Sequence, residues 1–343
     1  MSGICTCNPD NGMTKQDILR LLTASDGSAL FAEADRVRRE NVGDAVHLRG
    51  LIEFSNVCAR DCSYCGLRRS NHAMARYTMT AGEIQDAAFG AFRLGLKSLV
   101  LQSGESGQYP LDEMCTIIRR IKKETGLAIT LSIGEKSLAD YKALKEAGAD
   151  RYLLRFETSC GRLFQELKPD SSKKHRMQCL QWLREADFQV GSGMMVGLPG
   201  QTMEIIADDI VLMQELDLDM VGFGPFIANA QTPLKDTGYA SLELVLRVLA
   251  VIRIVMKNVH IPATTAMGTL DPNGREKALC CGANVLMPNV TPIQYREMYQ
   301  LYPGKPGLAQ APSDTVETLR SLVLSMGRTV SDDAGHSLKR SLI

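Results

Sequence analysis

Three cysteines lie close together in the sequence, at Cys58, Cys62 and Cys65, with the spacing C-x3-C-x2-C. Thiolates are the ligands that zinc and iron–sulfur clusters prefer in proteins. A closed cluster needs four thiolates, and the next cysteine, Cys115, comes one predicted helix later. Three thiolates on one loop can instead hold a [4Fe–4S] cluster through three irons and leave the fourth iron open, as a catalytic metal site requires. The spacing therefore predicts a cluster with one free coordination position.

Two other interpretations of these cysteines remain open. His72 follows closely enough for the three thiolates and one imidazole to form a Cys3His zinc site. The three thiols could also be buried side chains that share this spacing by coincidence. Neither alternative would provide an open position for catalysis.

The remaining cysteines do not show the spacing of metal ligands. The chain has ten cysteines, and a reducing, cytoplasmic compartment would keep them as thiols. Cys280 and Cys281 fall on a predicted helix, where we expect small buried side chains. Cys5 and Cys7 could bind metal adventitiously, but we expect a frayed start of the chain. The first residues lack a basic leader and an apolar segment, so we do not expect export.

Hydrophobic periodicity predicts a regular alternation of strands and helices. The predicted strands cover residues 46–54, 98–102, 128–133, 152–156, 189–196, 220–226, 260–265 and 284–287. The predicted helices begin at Thr80, with Glu83 completing a capping box, and then cover residues 111–124, 138–147, 174–185, 242–256 and 275–281, with further helices after Thr202 and Pro292. Eight such units predict an α/β fold of the (β/α)8 TIM-type barrel class over residues 45–305.

Two extensions flank the predicted barrel. Residues 1–44 form a predicted N-terminal helical extension, whose helices in 13–40 would pack under the bottom of the barrel. Residues 306–343 form a predicted C-terminal helical extension, with a helix from residue 312 and a polar tail. The active site of such a barrel is built by the loops that follow the strands.

Polar residues follow the second and fourth predicted strands. Ser103, Gly104 and Glu105 end the second strand, and the serine and glutamate oxygens can accept hydrogen bonds from an ammonium group. Arg155 and Glu157 end the fourth strand, where alternation places both side chains on one side. These two charges either meet a ligand at the mouth of the barrel or pair with each other at its rim.

Composition and charge exclude several classes of protein. Of the 343 residues, 45% are hydrophobic and 23% are charged, which is typical of a globular domain. The 39 basic and 39 acidic residues cancel, which argues against a nucleic-acid-binding protein. The longest apolar run, residues 245–256, contains Arg247 and Arg253, so we expect no membrane span.

The cysteine motif, read as C-x3-C-x-aromatic-C with Tyr64 as the aromatic residue, resembles the signature of the radical S-adenosylmethionine (SAM) superfamily. Further segments resemble the HydE family of [FeFe]-hydrogenase maturases across residues 45–305. These segments are residues 52–58, 64–69, 151–158, 195–202, 219–226, 261–268 and 283–289. The resemblance implies a [4Fe–4S] cluster held by three cysteines, with SAM on its fourth iron.

The resemblance also assigns expected roles to individual residues. It implies that residues 103–105 bind the amino group of SAM, Glu157 its ribose and Arg176 its carboxylate. The turn at Gly197 would lie against the adenine, and the ring of Tyr64 would lie beside the cluster. The residues expected to bind an anionic substrate inside the barrel are Gln102, Thr130, Arg155, Thr264 and Thr265, and Tyr299 and Tyr302 would either close the cavity floor or simply pack.

The function implied by the resemblance is reductive cleavage of SAM to a 5′-deoxyadenosyl radical. In the HydE family this chemistry serves assembly of the dithiomethylamine-bridged di-iron subsite of the hydrogenase H-cluster, from a cysteine-bound iron carbonyl–cyanide precursor. The radical would either attack sulfur or abstract hydrogen. Some family members bind a second cluster near the C-terminus, but residues 282–343 contain no cysteine, so we predict none here.

The expected partners are the other hydrogenase maturases and a ferredoxin or flavodoxin as electron donor. Arg60, Arg68 and Arg69 flank the cysteine loop and form either a solvated face or a docking surface for that acidic donor. Two functional alternatives remain open. One is a relative of biotin synthase or methylornithine synthase with a different small-molecule substrate, and the other is an iron–sulfur electron carrier that does not cleave SAM.

Overall fold

The computed structural model describes residues 12–107 and 109–339, so Cys5 and Cys7 lie outside the described part. Its strands are β1 Ala45–Ser55, β2 Ser98–Ser103, β3 Ala128–Ser132, β4 Arg151–Leu153, β5 Gln189–Ser192, β6 Met195–Val196, β7 Met220–Val221, β8 Gly224–Pro225, β9 Val285–Leu286 and β10 Thr329–Val330. Its helices are α1 Lys15–Leu22, α2 Gly27–Val42, α3 Ala81–Arg93, α4 Leu111–Thr125, α5 Leu138–Glu146, α6 Gly161–Leu167, α7 Lys173–Glu185, α8 Met203–Glu215, α9 Leu242–Met256, α10 Thr265–Leu270, α11 Gly274–Cys280, α12 Ile293–Arg296 and α13 Pro312–Ser325.

The strands form a parallel ring with the helices outside it. The sheet runs β1-β2-β3-β4-β5-β7, and all of these pairs are parallel. Single bridges continue the ring from Met220 to His260 and from Pro262 to Val285, and β9 pairs with β1. The fold is therefore a TIM-type barrel, as the sequence predicted.

The seventh predicted strand, residues 260–265, is not a regular strand. This segment pairs with its neighbours through isolated bridges at His260 and Pro262 instead of a continuous ladder. Pro262 has no N–H to donate to a ladder, and α10 begins at Thr265 with Thr264 as its N-cap. Thr264 and Thr265 therefore begin a helix at the barrel mouth, whereas the sequence placed them at the end of a strand.

The fourth, fifth and sixth predicted strands are also shorter or interrupted. The fourth ends at Leu153, so Arg155 and Glu157 lie in the loop that follows it. The fifth divides into β5 and β6, and the sixth into β7 and β8. Both interruptions contain a glycine, and a Cβ on Gly193 would stand 2.3 Å from the carbonyl oxygen of Gly222. Because these two segments approach each other so closely, position 193 has no room for a side chain, and the regular strand is interrupted there.

Several helices begin at residues whose side chains cap them. Thr80 and Glu83 form the predicted capping box at the start of α3, and Ser137 and Asp140 form another at the start of α5. Apolar faces of these helices pack on the sheet, and Ile84, Ile117 and Tyr141 are completely buried. No helix of the described residues is both long and apolar enough to cross a membrane.

The bottom of the barrel is covered by the end of the chain, not by the N-terminal helices as predicted. Helices α1 and α2 pack on the outer helices α8 and α9. After α13, β10 pairs with the start of β1, and the segment that follows is no free polar tail. Arg151, the first residue of β4, donates hydrogen bonds to the carbonyl oxygens of Ala334 (2.9 Å) and Gly335 (2.5 Å). The domain limits themselves stay predictions.

Candidate active site

The cysteine loop leaves the C-terminal end of β1 and borders a cavity of about 360 Å³ inside the barrel mouth. Cys58, Cys62 and Cys65 all line this cavity. The loop passes close to its neighbours at two glycines. A Cβ on Gly104 would stand 2.3 Å from the carbonyl oxygen of Val57, and a Cβ on Gly66 would stand 2.0 Å from that of Gln300. Side chains at these positions would therefore displace the loop.

Among the residues that the structure describes, the surroundings of the three thiols do not include the imidazole that the zinc alternative needs. Burial raises the pKa of the Cys65 thiol to about 12 and also raises the pKa of Cys58, and the neighbouring Cys62 adds to both increases. Within residues 12–107 and 109–339, no three His, Cys, Asp or Glu side chains are gathered closely enough to hold one metal ion. His72 is exposed. The Cys3His zinc alternative therefore finds no support among the described residues.

Two acidic residues connect the ends of β2 and β3 to two arginines. Glu105 Oε1 lies 2.5 Å from Arg60 Nη2, and Glu105 Oε2 lies 3.8 Å from Arg176 Nη2. Glu135 pairs with both arginines, at 2.9 Å in each case. Arg176 and Glu135 are almost completely buried, with side chains only 4% and 5% exposed. Each of the two arginines therefore has two carboxylate neighbours.

Glu135 was not predicted from the sequence. It follows Gly134 after β3 just as Glu105 follows Gly104 after β2, so the rule that selected Glu105 also applies to it. Arg60 is a partner of both carboxylates, and Arg68 Nε lies 2.7 Å from Asp61 Oδ1. These two arginines are therefore paired, and neither belongs to a simple solvated face.

Glu157 is held by residues from two directions. Tyr64 Oη donates a hydrogen bond of 2.9 Å to its Oε1, and Arg155 Nη2 lies 3.2 Å from its Oε2. The rim salt bridge that the sequence left open is thus present, and Glu157 also faces the cavity. Its backbone has a φ of +67°, a conformation that costs a non-glycine residue about 1–3 kcal/mol.

The inner part of the cavity is polar on one side. Gln102 Nε2 donates a hydrogen bond of 3.1 Å to Tyr299 Oη, and Arg151 Nε donates one of 3.0 Å to Thr130 Oγ1. Thr264 Oγ1 is buried and has no hydrogen-bond partner among the described residues. Sixteen of the residues predicted for the site line this one cavity: Cys58, Cys62, Tyr64, Cys65, Gln102, Ser103, Gly104, Glu105, Thr130, Arg155, Glu157, Arg176, Thr264, Thr265, Tyr299 and Tyr302.

Gly197 is the predicted site residue that does not line this cavity. Its φ is +83°, and its N–H donates a hydrogen bond of 2.8 Å to Gln201 Oε1. A Cβ at this position would stand 2.4 Å from the Cβ of Ala240. The positive φ of the turn and the close approach of Ala240 therefore account for a glycine at position 197.

Five cavity-lining residues outside the predicted site set carry charged side chains, namely Arg49, Glu53, Arg60, Lys168 and Lys305. Lys305 and Glu53 form a buried ion pair, with side chains 8% and 1% exposed. Lys168 Nζ lies 3.2 Å from Cys62 Sγ. The sequence offered no signal for these contacts, because each joins segments that are distant along the chain.

A cluster loop at the mouth of a parallel barrel defines the radical SAM class, and the model of the radical SAM superfamily matches residues 52–213. The [FeFe] hydrogenase maturase subunit HydE of Thermotoga maritima is 46% identical over 325 residues, which are 94% of this chain and 93% of that protein. This chain therefore belongs to the HydE family of the radical SAM superfamily. Proteins of this superfamily use a [4Fe–4S] cluster and SAM.

More distant proteins share the fold. The 3-methylornithine synthase of Methanosarcina acetivorans is 27% identical over 271 residues, which cover 78% of this chain and 76% of that protein. The crystal structure of a methylornithine synthase superposes with a TM-score of 0.83 at 24% identity, covering 94% of this chain and 95% of that one. The hydrogenase maturase HydG superposes with a TM-score of 0.78 at 20% identity, covering 94% of this chain and 73% of that one. At such identities the superpositions establish the fold alone.

Proposed function

We propose that this protein is a radical SAM enzyme that acts in [FeFe]-hydrogenase maturation, in assembly of the dithiomethylamine-bridged di-iron subsite from a cysteine-bound iron carbonyl–cyanide precursor. The observation that carries this proposal is the 46% identity to a HydE maturase over nearly the whole of both chains. The second candidate is a methylornithine-synthase-like or biotin-synthase-like reaction, which the shared fold favours at lower sequence identity.

In this proposal Cys58, Cys62 and Cys65 hold a [4Fe–4S] cluster. The three thiols line one cavity and lie close enough to influence one another electrostatically. Burial raises the pKa of the Cys58 and Cys65 thiols, and loading the cluster requires the ligating thiols to release their protons. When bound, the cluster and SAM supply one-electron cleavage of SAM to a 5′-deoxyadenosyl radical.

The proposed SAM subsite matches the charges of the methionine part of SAM. Ser103, Gly104 and Glu105 would receive its ammonium group, and Arg176 would receive its carboxylate. Glu105 and Arg176 are 3.8 Å apart at their nearest charged atoms, so the wall already offers one negative and one positive group side by side. Glu157, held by Tyr64, would accept hydrogen bonds from the ribose hydroxyls.

The proposed substrate subsite lies deeper in the same cavity. The Arg155 guanidinium supplies a positive charge, and Thr264 supplies a buried hydroxyl that has no partner among the described residues. This combination suits an anion that carries hydrogen-bonding groups. The side chains of Gln102, Thr130, Thr265, Tyr299 and Tyr302 complete this wall of the cavity. A closed barrel also keeps water away from a reactive intermediate.

The remaining assignments concern partners and location. We place the protein in the cytoplasm, where the thiols of its cluster site stay reduced. A ferredoxin or flavodoxin would supply electrons, and other hydrogenase maturases would act on the same pathway. Arg69 is the member of the arginine group near the cysteine loop that has no ion pair among the described residues, so it is free to contact an acidic donor.

Anaerobic turnover tests the enzymatic proposal. After cluster reconstitution and dithionite reduction, the wild-type protein should convert SAM to 5′-deoxyadenosine and methionine. Cys65→Ala should lose both the cluster and the product. Cys280→Ala is the matched control and should retain both, because Cys280, contrary to the expectation of a buried side chain, is an exposed cysteine outside the cavity. A wild-type protein that holds a cluster but forms no 5′-deoxyadenosine with any reductant would instead be an electron carrier.

Hydrogenase maturation tests the pathway. Deletion of the gene should abolish hydrogenase activity in the host, and the wild-type gene should restore it while the Cys65→Ala gene should not. Unchanged hydrogenase activity after deletion, together with SAM cleavage by the purified protein, would favour the second candidate.

A further inference from the structure

A buried lysine lies against one cysteine of the cluster loop. Lys168 Nζ is 3.2 Å from Cys62 Sγ, and the lysine is 5% exposed. In the described part of the chain it forms no ion pair with a carboxylate. Burying a charge without a partner is costly, and a neutral thiol is only a weak acceptor. The burial of Lys168 is therefore physically reasonable if Cys62 belongs to a negatively charged group.

The position of Lys168 is fixed by contacts between the end of α6 and the cysteine loop. Lys168 is the C-cap of α6, and the proline that follows disfavours a helical backbone at this position, where φ is −131°. The N–H of Ser63 donates a hydrogen bond of 2.8 Å to the carbonyl oxygen of Leu167. The N–H of Asp61 donates one of 3.0 Å to Asp170 Oδ2. Contacts on both sides of Lys168 thus hold its ammonium group beside Cys62.

The three cysteines differ in this respect. Cys58 Sγ accepts a hydrogen bond of 3.4 Å from the backbone N–H of Arg60, which is a neutral donor. Among the hydrogen bonds to cluster-loop sulfurs in the described residues, the one from Lys168 is the one made by a charged group. A direct hydrogen bond from a charged group is therefore made to Cys62 and not to Cys58.

We propose that Lys168 is a positioning residue that raises the reduction potential of the cluster. Addition of an electron makes the cluster more negative, and a fixed cation in a site of low dielectric constant stabilises that reduced state more than the oxidised one. The effect acts through Cys62 and requires no contact with SAM or substrate. This inference depends on the proposed cluster ligation by Cys58, Cys62 and Cys65.

Redox titration of the reconstituted full-length protein without SAM, followed by EPR of the reduced cluster, tests the inference. At a fixed applied potential, Lys168→Met and Lys168→Gln should lower the ratio of reduced to oxidised cluster about tenfold, which corresponds to about 59 mV for a one-electron couple. Lys168→Arg keeps the charge and should remain near the wild-type ratio. Lys123→Met is the matched control, because Lys123 is an exposed lysine in the last turn of α4.

Each other outcome has a distinct meaning. Met and Gln variants that hold a cluster with the wild-type ratio would overturn the inference and leave the proposed function intact. If both variants lose iron while Lys168→Arg keeps it, the charge of Lys168 is needed for cluster binding and not for the reduction potential. That result would also overturn the inference. If only the Met variant loses iron, the Gln variant decides. A wild-type protein without a [4Fe–4S] signal would contradict the proposed function itself.

Discussion

Tyr64, which stands between two cysteines of the cluster loop, donates a hydrogen bond of 2.9 Å to Glu157, which follows β4 on the other side of the cavity. The same carboxylate lies 3.2 Å from Arg155. The loop that holds the proposed cluster is thus connected directly to the residue proposed to bind ribose. This contact uses the hydroxyl group of Tyr64, which phenylalanine lacks.

Replacement of Tyr64 by phenylalanine tests this connection. Tyr64→Phe removes one of the two partners of Glu157, so SAM should bind about tenfold more weakly, since a hydrogen bond to a charged group contributes about 1.5–3 kcal/mol. Equilibrium binding of SAM to the reconstituted protein measures the effect, and iron content should not change. Tyr295→Phe is the control, because Tyr295 donates a similar bond of 2.6 Å to Glu83 outside the cavity. Equal affinities of both variants would argue against the connection.

The backbone of Glu157 lowers the stability of the protein, whereas its carboxylate is proposed to bind SAM. Glu157→Gly and Glu157→Ala both remove the carboxylate, so both should bind SAM far more weakly than the wild type. Glycine adopts a φ of +67° without strain, whereas alanine does not. The free energy of unfolding of the Gly variant should therefore be about 1 kcal/mol higher than that of the Ala variant. Denaturant unfolding of the two variants under identical conditions measures this difference. A Gly variant that is less stable than the Ala variant would show that the backbone at this position is not strained.

The strand ends that form the site could be predicted from the sequence, because parallel strands in a barrel all end at one face. This rule brought the cysteines, Glu105 and Glu157 to one cavity although they come from three different loops. It applied equally to Glu135, which was nevertheless missed. Lys168 could not be found in this way, because its contact with Cys62 spans 106 residues and depends on how the end of α6 packs.

The contacts at the bottom of the barrel could not be predicted from the sequence. A polar C-terminal segment carries no hydrophobic periodicity, so the sequence suggested a tail. The structure uses its backbone carbonyls as acceptors for Arg49 and Arg151, two arginines that are 4% and 1% exposed. Buried guanidinium groups need such acceptors, but a sequence does not reveal which carbonyl groups will provide them.

We expect replacement of Glu135 to change the KM for SAM but not kcat. It pairs with Arg176 at 2.9 Å but does not itself line the cavity, so it holds the proposed carboxylate-binding arginine from behind. Glu135→Gln should raise the KM for SAM roughly tenfold and leave kcat nearly unchanged, because the displaced arginine weakens binding without altering the cluster. Steady-state formation of 5′-deoxyadenosine measures both constants. Glu185→Gln removes a carboxylate from an exposed pair with Lys142 and should change neither constant. A fall in kcat at constant KM would place Glu135 in a different role.

The last prediction concerns the unpartnered hydroxyl of Thr264. This residue is the N-cap of α10, yet its side chain accepts no hydrogen bond from the helix, and its Oγ1 is buried without a partner among the described residues. An N-cap hydroxyl that does not cap a helix contributes little to stability, and burying it without a partner costs about 1–3 kcal/mol. Thr264→Val keeps the shape and removes the hydroxyl, so the free energy of unfolding should stay equal or rise. If that hydroxyl binds the substrate, hydrogenase maturation in a reconstituted system should fall at least tenfold while SAM affinity is retained.

Thr202→Val is the contrasting variant, because Thr202 does cap α8 through the N–H of Ile205, and its loss should destabilise the protein by about 1 kcal/mol. A Thr264→Val protein that is less stable but matures hydrogenase normally would assign this hydroxyl to the fold and not to the substrate.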